Sequence, residues 1–167
     1  PNPIDGMDVA GPILEPGSKS KLAYHPLPIR HGLTVGELAL LMNADRHVGA
    51  NVEVVRMRGW RRVDYFDATG ISWNKPSPNL RTIEQVLLYP AVGLVEGTNV
   101  SVGRGTDTPF EIVGAPWLDS GAAVAALAKE RIAGVRFSES PFTPTANPYK
   151  GKACKGERVQ WAVLVEV

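Results

Sequence analysis

Only one cysteine, Cys154, occurs in 167 residues. No intrachain disulfide and no cysteine-based zinc site can form, which excludes a disulfide scaffold without deciding the compartment. The three histidines, His25, His31 and His47, include no i,i+4 pair and no HExxH, so neither a metal site nor a cofactor is expected. No apolar run approaches the roughly 20 residues needed to cross a bilayer, so no membrane span is expected. The opening PNPIDGMDVAGPILEPG has no Met, no basic n-region and no apolar h-region, and is not a signal peptide. A start on Pro1-Asn2-Pro3 reads as a trimmed end. An excess of one charge is also missing: the net charge is +1, which removes the electrostatic case for nucleic acid or an anionic membrane. The local cluster Arg56, Arg58, Arg61 and Arg62 reads as a solvated face or an anion contact.

What is present is ordinary for a globular chain: 44% hydrophobic and 21% charged residues, enough for one cored domain or a piece of a larger one. Residues 1–33 carry Pro1, Pro3, Pro12, Pro16, Pro26 and Pro28, and short extended pieces are the most that can form there. Thr34-Val35-Gly36-Glu37 has the capping-box form, and Val35, Leu38, Leu41 and Met42 follow at helical spacing, predicting an amphipathic helix over 35–44. Period-two alternation predicts a strand over 51–57. The long segment 58–81 holds Trp60, Tyr65, Phe66 and Trp73, which argue for order. Thr82-Ile83-Glu84-Gln85 is a second capping-box form opening a helix to about Leu88. The apolar run 91–95 reads as a buried strand, and Phe110–Gly114 as a short extended piece. Asp119 caps a predicted helix over 120–132. Val135–Ser138 and Val159–Val167 read as strands, with a proline-marked loop over 139–156 between them. A chain ending inside a strand is a further sign of a fragment.

This alternation predicts an α/β fold with a mainly parallel sheet. Ligands in such sheets bind beyond the carboxyl ends of the strands. Glu96, after the predicted strand 91–95, would lie at such an end in the stretch VEGTNVSVGRGT. Burial there would raise its pKa and suit it to general acid work. The other reading is that Glu96 accepts loop N–H groups and holds the turn. Asn99 and Arg104 can donate hydrogen bonds to a sugar or carboxylate, and the glycines allow close backbone approach. Phosphate binding fits poorly: there is no GxxxxGK[ST], and Gly103-Arg104-Gly105 lacks the third glycine of GxGxxG. GxSxG fails at Asn99. Arg30 and His31 before one helix, and Asn79 before the next, are competing polar groups, though residues so placed more often serve as caps or core-edge hydrogen bonds. Trp60 and Trp73 suit either sugar stacking or a private loop core.

The series PNPIDG, PIRHGLTVGELALLMN, MRGWRR, SPNLRT, YPAVGLVEGTNVSVGRGT and PFEIVGAPWLD, in this order, resembles the DUF1343 family, which includes the NamZ-like exo-β-N-acetylmuramidases of glycoside hydrolase family 171. The resemblance covers nearly the whole chain but only the middle of a longer family architecture, in which a Rossmann-like domain precedes a smaller α/β domain and the cleft lies between them; it implies that residues 1–118 are the later part of the Rossmann-like domain with its mainly parallel sheet and cleft loops, and 119–167 the start of the smaller domain. It implies a bacterial hydrolase of peptidoglycan recycling, extracellular or periplasmic, that releases terminal non-reducing β-linked N-acetylmuramic acid from muropeptides or muramyl oligosaccharides. Glu96 would supply one of the two carboxylates such hydrolysis needs, the other lying on an upstream segment. Arg104 or Arg30 would bind the lactyl carboxylate, with Asn99, His31, Asn79 and Trp60 around the sugar. Exposed sheet edges and apolar faces would favour a companion chain or a homodimer. A non-catalytic carbohydrate-binding or structural module is the alternative.

Overall fold

The computed structural model describes residues 4, 6–21, 23–143 and 162–167. Pro1, Pro3, Cys154, the 144–156 part of the proline-marked loop and residues 159–161 of the last expected strand lie outside these. The chain divides into two compact units, Pro1–Ser72 and Trp73–Val167.

In the first unit, strands β1 (Ala10–Ile13) and β2 (Pro28–Arg30) pair antiparallel, with Ala10 opposite Arg30 and Ile13 opposite Pro28 and an irregularity between. Helix α1 (Val35–Asp45) forms where the pattern places it. Thr34 Oγ1 accepts from the Glu37 N–H (3.2 Å) and Glu37 Oε2 accepts from the Thr34 N–H (2.8 Å), so two otherwise unpaired amides are satisfied reciprocally. The helix buries none of its residues. Gly36 is required in its first turn, because a Cβ there would meet Val54 Cγ1 at 2.6 Å. The strand expected at 51–57 does not form. The segment pairs with nothing in a ladder and Val55 is 91% exposed: alternation marks a strand only where a partner edge exists to receive it.

The second unit holds the larger core. Helix α2 (Ile83–Val92) runs past Pro90 and passes into a 3₁₀ turn, Gly93–Gly97. The strand expected at 91–95 is therefore helix and turn. A five-residue apolar run carries no period that separates a buried strand from a buried helix end. Strands β3 (Ile112–Gly114), β4 (Arg136–Glu139) and β5 (Ala162–Glu166) form one sheet in the order β3-β5-β4, with helix α3 (Ser120–Lys129) between β3 and β4 in sequence. Every pair in it is antiparallel: Ile112 faces Leu164, and Phe137 faces Val165. The mixed α and β content agrees with expectation, but the mainly parallel Rossmann-like sheet is corrected: among the described residues the ladders are antiparallel.

Central strand β5 alternates faces at period two. Val163 and Val165 pack with Leu88 of α2 and with Val92, Ala123, Val124, Leu127, Val135 and Phe137 around them. Leu164, on the other face, joins Ile112 and Phe142. Each fully buried aliphatic side chain contributes roughly 1.5–3 kcal/mol, so this small sheet is held from both faces. No helix among the described residues is long and apolar enough to cross a membrane.

The backbone at Gly103 sits at φ +76, and a Cβ there would lie 2.6 Å from Ile112 Cγ2 and 2.7 Å from the Thr108 carbonyl oxygen. Gly103→Ala therefore combines strained backbone with a clash against main chain. It is expected to lower unfolding stability by about 2–4 kcal/mol, read as a shift of the urea midpoint at unchanged slope. A midpoint within error of the parent would overturn this reading of the turn.

Candidate active site

Glu96 lies in the Gly93–Gly97 turn after α2, not at a strand end. Its surroundings differ from an apolar pocket. Arg104 Nε donates to Glu96 Oε1 and Arg104 Nη2 to Glu96 Oε2 at 3.0 Å. Both carboxylate oxygens thus accept from a donor-only group, which fixes the orientation of the carboxylate. Arg104 is 16% and Glu96 35% exposed, so the pair faces solvent on one side.

The loop that follows spends its polar groups on itself. Thr98 Oγ1 donates to the Val95 carbonyl (2.7 Å), and Thr106 Oγ1 to the Gly103 carbonyl (2.6 Å). Ser101 exchanges two backbone hydrogen bonds with Gly114. Positive φ at Gly103 and Gly105 lets the chain reverse on both sides of Arg104. Asn99 is exposed in the turn between Glu96 and Ser101. VEGTNVSVGRGT is therefore a self-capped turn that aims one guanidinium at one carboxylate, and its hydroxyls are not arrayed as a phosphate cradle.

Arg104 also lies over Phe110, Cζ 4.9 Å from the ring centroid, and Phe110 meets Tyr89 of α2 edge-on at 4.7 Å. Phe110 is 1% exposed and has φ +67. A bulky residue in left-handed backbone is costly by about 1–2 kcal/mol.

Two polar residues escaped the sequence reading. Gln85, 1% exposed, was expected only as the return half of a capping box. Thr82 Oγ1 does accept from the Gln85 N–H (3.3 Å), but the Gln85 carboxamide turns elsewhere: Oε1 accepts from the Arg81 N–H (2.7 Å) and Nε2 donates to Glu111 Oε1 (2.7 Å). Glu111 sits inside PFEIVGAPWLD, and no local pattern marks it as facing a buried amide. Asn79 is 3% exposed and closes a tight turn, with its N–H 3.4 Å from Ser77 Oγ. Its Nδ2 is buried without a hydrogen-bond partner among the described residues. Trp73 donates Nε1–H to the Leu80 carbonyl (3.3 Å), the private-core role.

The remaining expected residues belong to the first unit. Arg30 Nη2 donates to the Ile4 carbonyl (2.7 Å) and lies 3.7 Å from Asp8 Oδ2. His31 Nδ1 accepts from the Leu33 N–H (3.0 Å). Both make the local hydrogen bonds that competed with a ligand role. Trp60 lines a cavity of about 480 Å³ with Met57, Asp64, Phe66 and Ile71. Two of the four clustered arginines are paired: Arg61 with Asp64 at 2.8 Å, and Arg62 with Glu37. Arg62 also donates to the Gly32 carbonyl (2.6 Å) and lies 5.7 Å from the Trp60 ring. It holds Glu37 below the usual glutamate range, helped by the Thr34 N–H. Arg61 likewise holds Asp64 low.

Residues 1–84 match the family model described as exo-β-N-acetylmuramidase NamZ, N-terminal, and residues 87–165 match the corresponding C-terminal model. The chain is 44% identical over 156 residues to the peptidoglycan β-N-acetylmuramidase NamZ of Bacillus subtilis (strain 168), covering 93% of this chain and 38% of that protein. Crystal structures of two DUF1343 family proteins from Bacteroides fragilis NCTC 9343 are similar. One has TM-score 0.86 at 30% identity, covering 100% of this chain and 43% of that one. The other has TM-score 0.73 at 31% identity, covering 98% and 42%. The chain thus spans less than half the length of these relatives.

A lowered Glu37 pKa favours the fold above the unfolded-state value, and that contribution is lost as pH falls through the folded-state value. Arg62→Met is therefore expected to lower stability at pH 7 by no more than about 1 kcal/mol, since both partners are well solvated. It should also flatten the acid-side decline in melting temperature below the usual glutamate range. An acid limb as steep as the parent's would contradict this role for Arg62.

Proposed function

Because this chain belongs to the NamZ exo-β-N-acetylmuramidase family, we propose that its protein hydrolyses terminal non-reducing β-linked N-acetylmuramic acid from peptidoglycan fragments, acting outside the cytoplasmic membrane. The observation that carries this reading is family membership through both halves of the chain, joined to the Glu96–Arg104 pair within VEGTNVSVGRGT. Glu96 is the carboxylate assigned to the reaction. Arg104 spends its Nε/Nη2 edge on Glu96, so its first task is to orient that carboxylate. Arg104 and Arg30 are the two candidates for the lactyl carboxylate that distinguishes muramic acid from other amino sugars. Asn99, exposed beside the pair, is suited to sugar hydroxyls or the acetamido group. Asn79, almost fully buried before α2, is a secondary candidate. Arg30 and His31 are secondary candidates, since local backbone already uses them.

A second reading, a carbohydrate-binding module without catalysis, draws on Trp60 and Phe66, whose rings line one cavity and suit stacking on a pyranose.

The intact protein carrying Glu96→Gln should lose kcat on a chromogenic β-N-acetylmuramide by about 100-fold or more while keeping its melting temperature. Undiminished turnover would remove Glu96 from the mechanism. Calorimetric binding of a muramyl disaccharide by an intact wild-type protein that shows no turnover would favour the module.

A further inference from the structure

The Glu96 carboxylate is oriented by the edge of one guanidinium, and a guanidinium has a face as well as an edge. We propose, resting on the muramidase reading above, that Phe110 is a positioning residue for Glu96, acting through the face of Arg104.

Arg104 gains no support from its sequence neighbours. Gly103 and Gly105 carry no side chains, and the chain reverses at both, with positive φ. A long side chain so placed has several rotatable bonds to immobilise. The two hydrogen bonds to Glu96 hold only its far end. Its face is held by the ring of Phe110, with Cζ 4.9 Å from the centroid. Phe110 is 1% exposed and the Arg104 side chain 16%. The contact is therefore largely desolvated, the condition in which a cation is drawn most strongly to a ring.

The ring is itself fixed. The Phe110 N–H donates to the Val102 carbonyl (2.8 Å), two residues before Arg104, so ring and loop are locked in one register. Tyr89 of α2 packs edge-on against the ring at 4.7 Å. Tyr89 in turn lies on Gly93, where a Cβ would meet its ring at 3.1 Å. Beyond Phe110 the main chain is pinned twice. The Glu111 N–H donates to the Thr108 carbonyl (3.2 Å), and the Glu111 carbonyl accepts from the Val165 N–H (2.6 Å).

These contacts close a circuit. Helix α2 carries Tyr89, and the turn that continues it carries Glu96. Tyr89 holds Phe110, Phe110 holds Arg104, and Arg104 returns to Glu96. A carboxylate in a short 3₁₀ turn is thus tied back to its own helix through side chains. Phe110 sits in left-handed backbone, φ +67, which glycine or asparagine adopts at less cost. Strain of this kind persists where the surroundings over-determine a residue, and it gathers at functional sites. Here it secures an aromatic face beneath the guanidinium that aims Glu96. Phe110 touches no reacting atom.

The intact protein is assayed on a chromogenic β-N-acetylmuramide, with melting temperature as a fold check. Mono-, di- and pentafluorophenylalanine placed at position 110 keep the shape of the ring while draining its negative face. Turnover should fall stepwise along this series, with kcat about fivefold or more lower for the pentafluoro ring and KM within about twofold of the parent. A ring needed only for packing would leave kcat flat. Phe110→Leu should lower kcat by about tenfold. In an Arg104→Met background the same substitution should lower the residual kcat no further, because the path through the guanidinium is already cut. Where Phe110→Leu fails to fold, the fluorinated series decides alone. A flat kcat along that series, or a full Phe110→Leu effect in the Arg104→Met background, overturns the proposal and leaves the muramidase reading intact. Absence of wild-type turnover defeats that reading, and the proposal with it.

Discussion

The second unit depends on one residue held where its backbone resists being. Phe110 is almost wholly buried in left-handed conformation. The burial of a phenyl ring, worth roughly 1.5–3 kcal/mol, more than offsets a strain of about 1–2 kcal/mol. Its ring is the floor on which Arg104 rests and against which Tyr89 packs. Its backbone turns Glu111 toward α2 and passes directly into β3, which lies against central strand β5. The glycine turn around Gly103 exists in the same space: its missing Cβ is what admits Ile112 and the Thr108 carbonyl. Loop, guanidinium, carboxylates and sheet edge are thus consequences of one packed contact.

Arginine works as an internal cross-link in both units. Arg62 gathers Glu37, the Gly32 carbonyl and the Trp60 ring, and Arg104 gathers Glu96 and the Phe110 ring. A planar guanidinium with five donors can serve a carboxylate on its edge and an aromatic on its face at once, which a lysine cannot. For chemistry the consequence is that Glu96 is a pre-oriented, charge-compensated carboxylate rather than a lone acid in an apolar pocket.

Local signals were legible wherever local physics sets the outcome. Thr34 with Glu37 predicts the start of α1, and Asp119 the start of α3, because the capping partner lies within one turn. The terminal valine-rich run predicts β5 because a strand covered on both faces must be apolar throughout. Legibility stops where a partner distant in sequence decides. The run 51–57 has strand alternation but no edge to join. The run 91–95 is apolar without a period, and α2 carries through Pro90 into it. Strand direction is illegible for the same reason, since nothing within a strand records which neighbour it will pair with. Of the candidate site, Glu96 and Arg104 were found together by motif. The hydrogen bond between Gln85 and Glu111, 26 residues apart, has no local signature.

By itself the sequence determined the helix starts, the apolar strand that becomes the sheet's centre, the lack of any disulfide, and the family to which the chain belongs. These rest on residue type and spacing within a turn or two. Only the tertiary structure decided that the ladders are antiparallel, that Glu96 is taken by Arg104, and that Phe110 turns Glu111 onto a buried amide. Each of these is a contact between separate segments, and its free energy exists only once burial has brought both ends together.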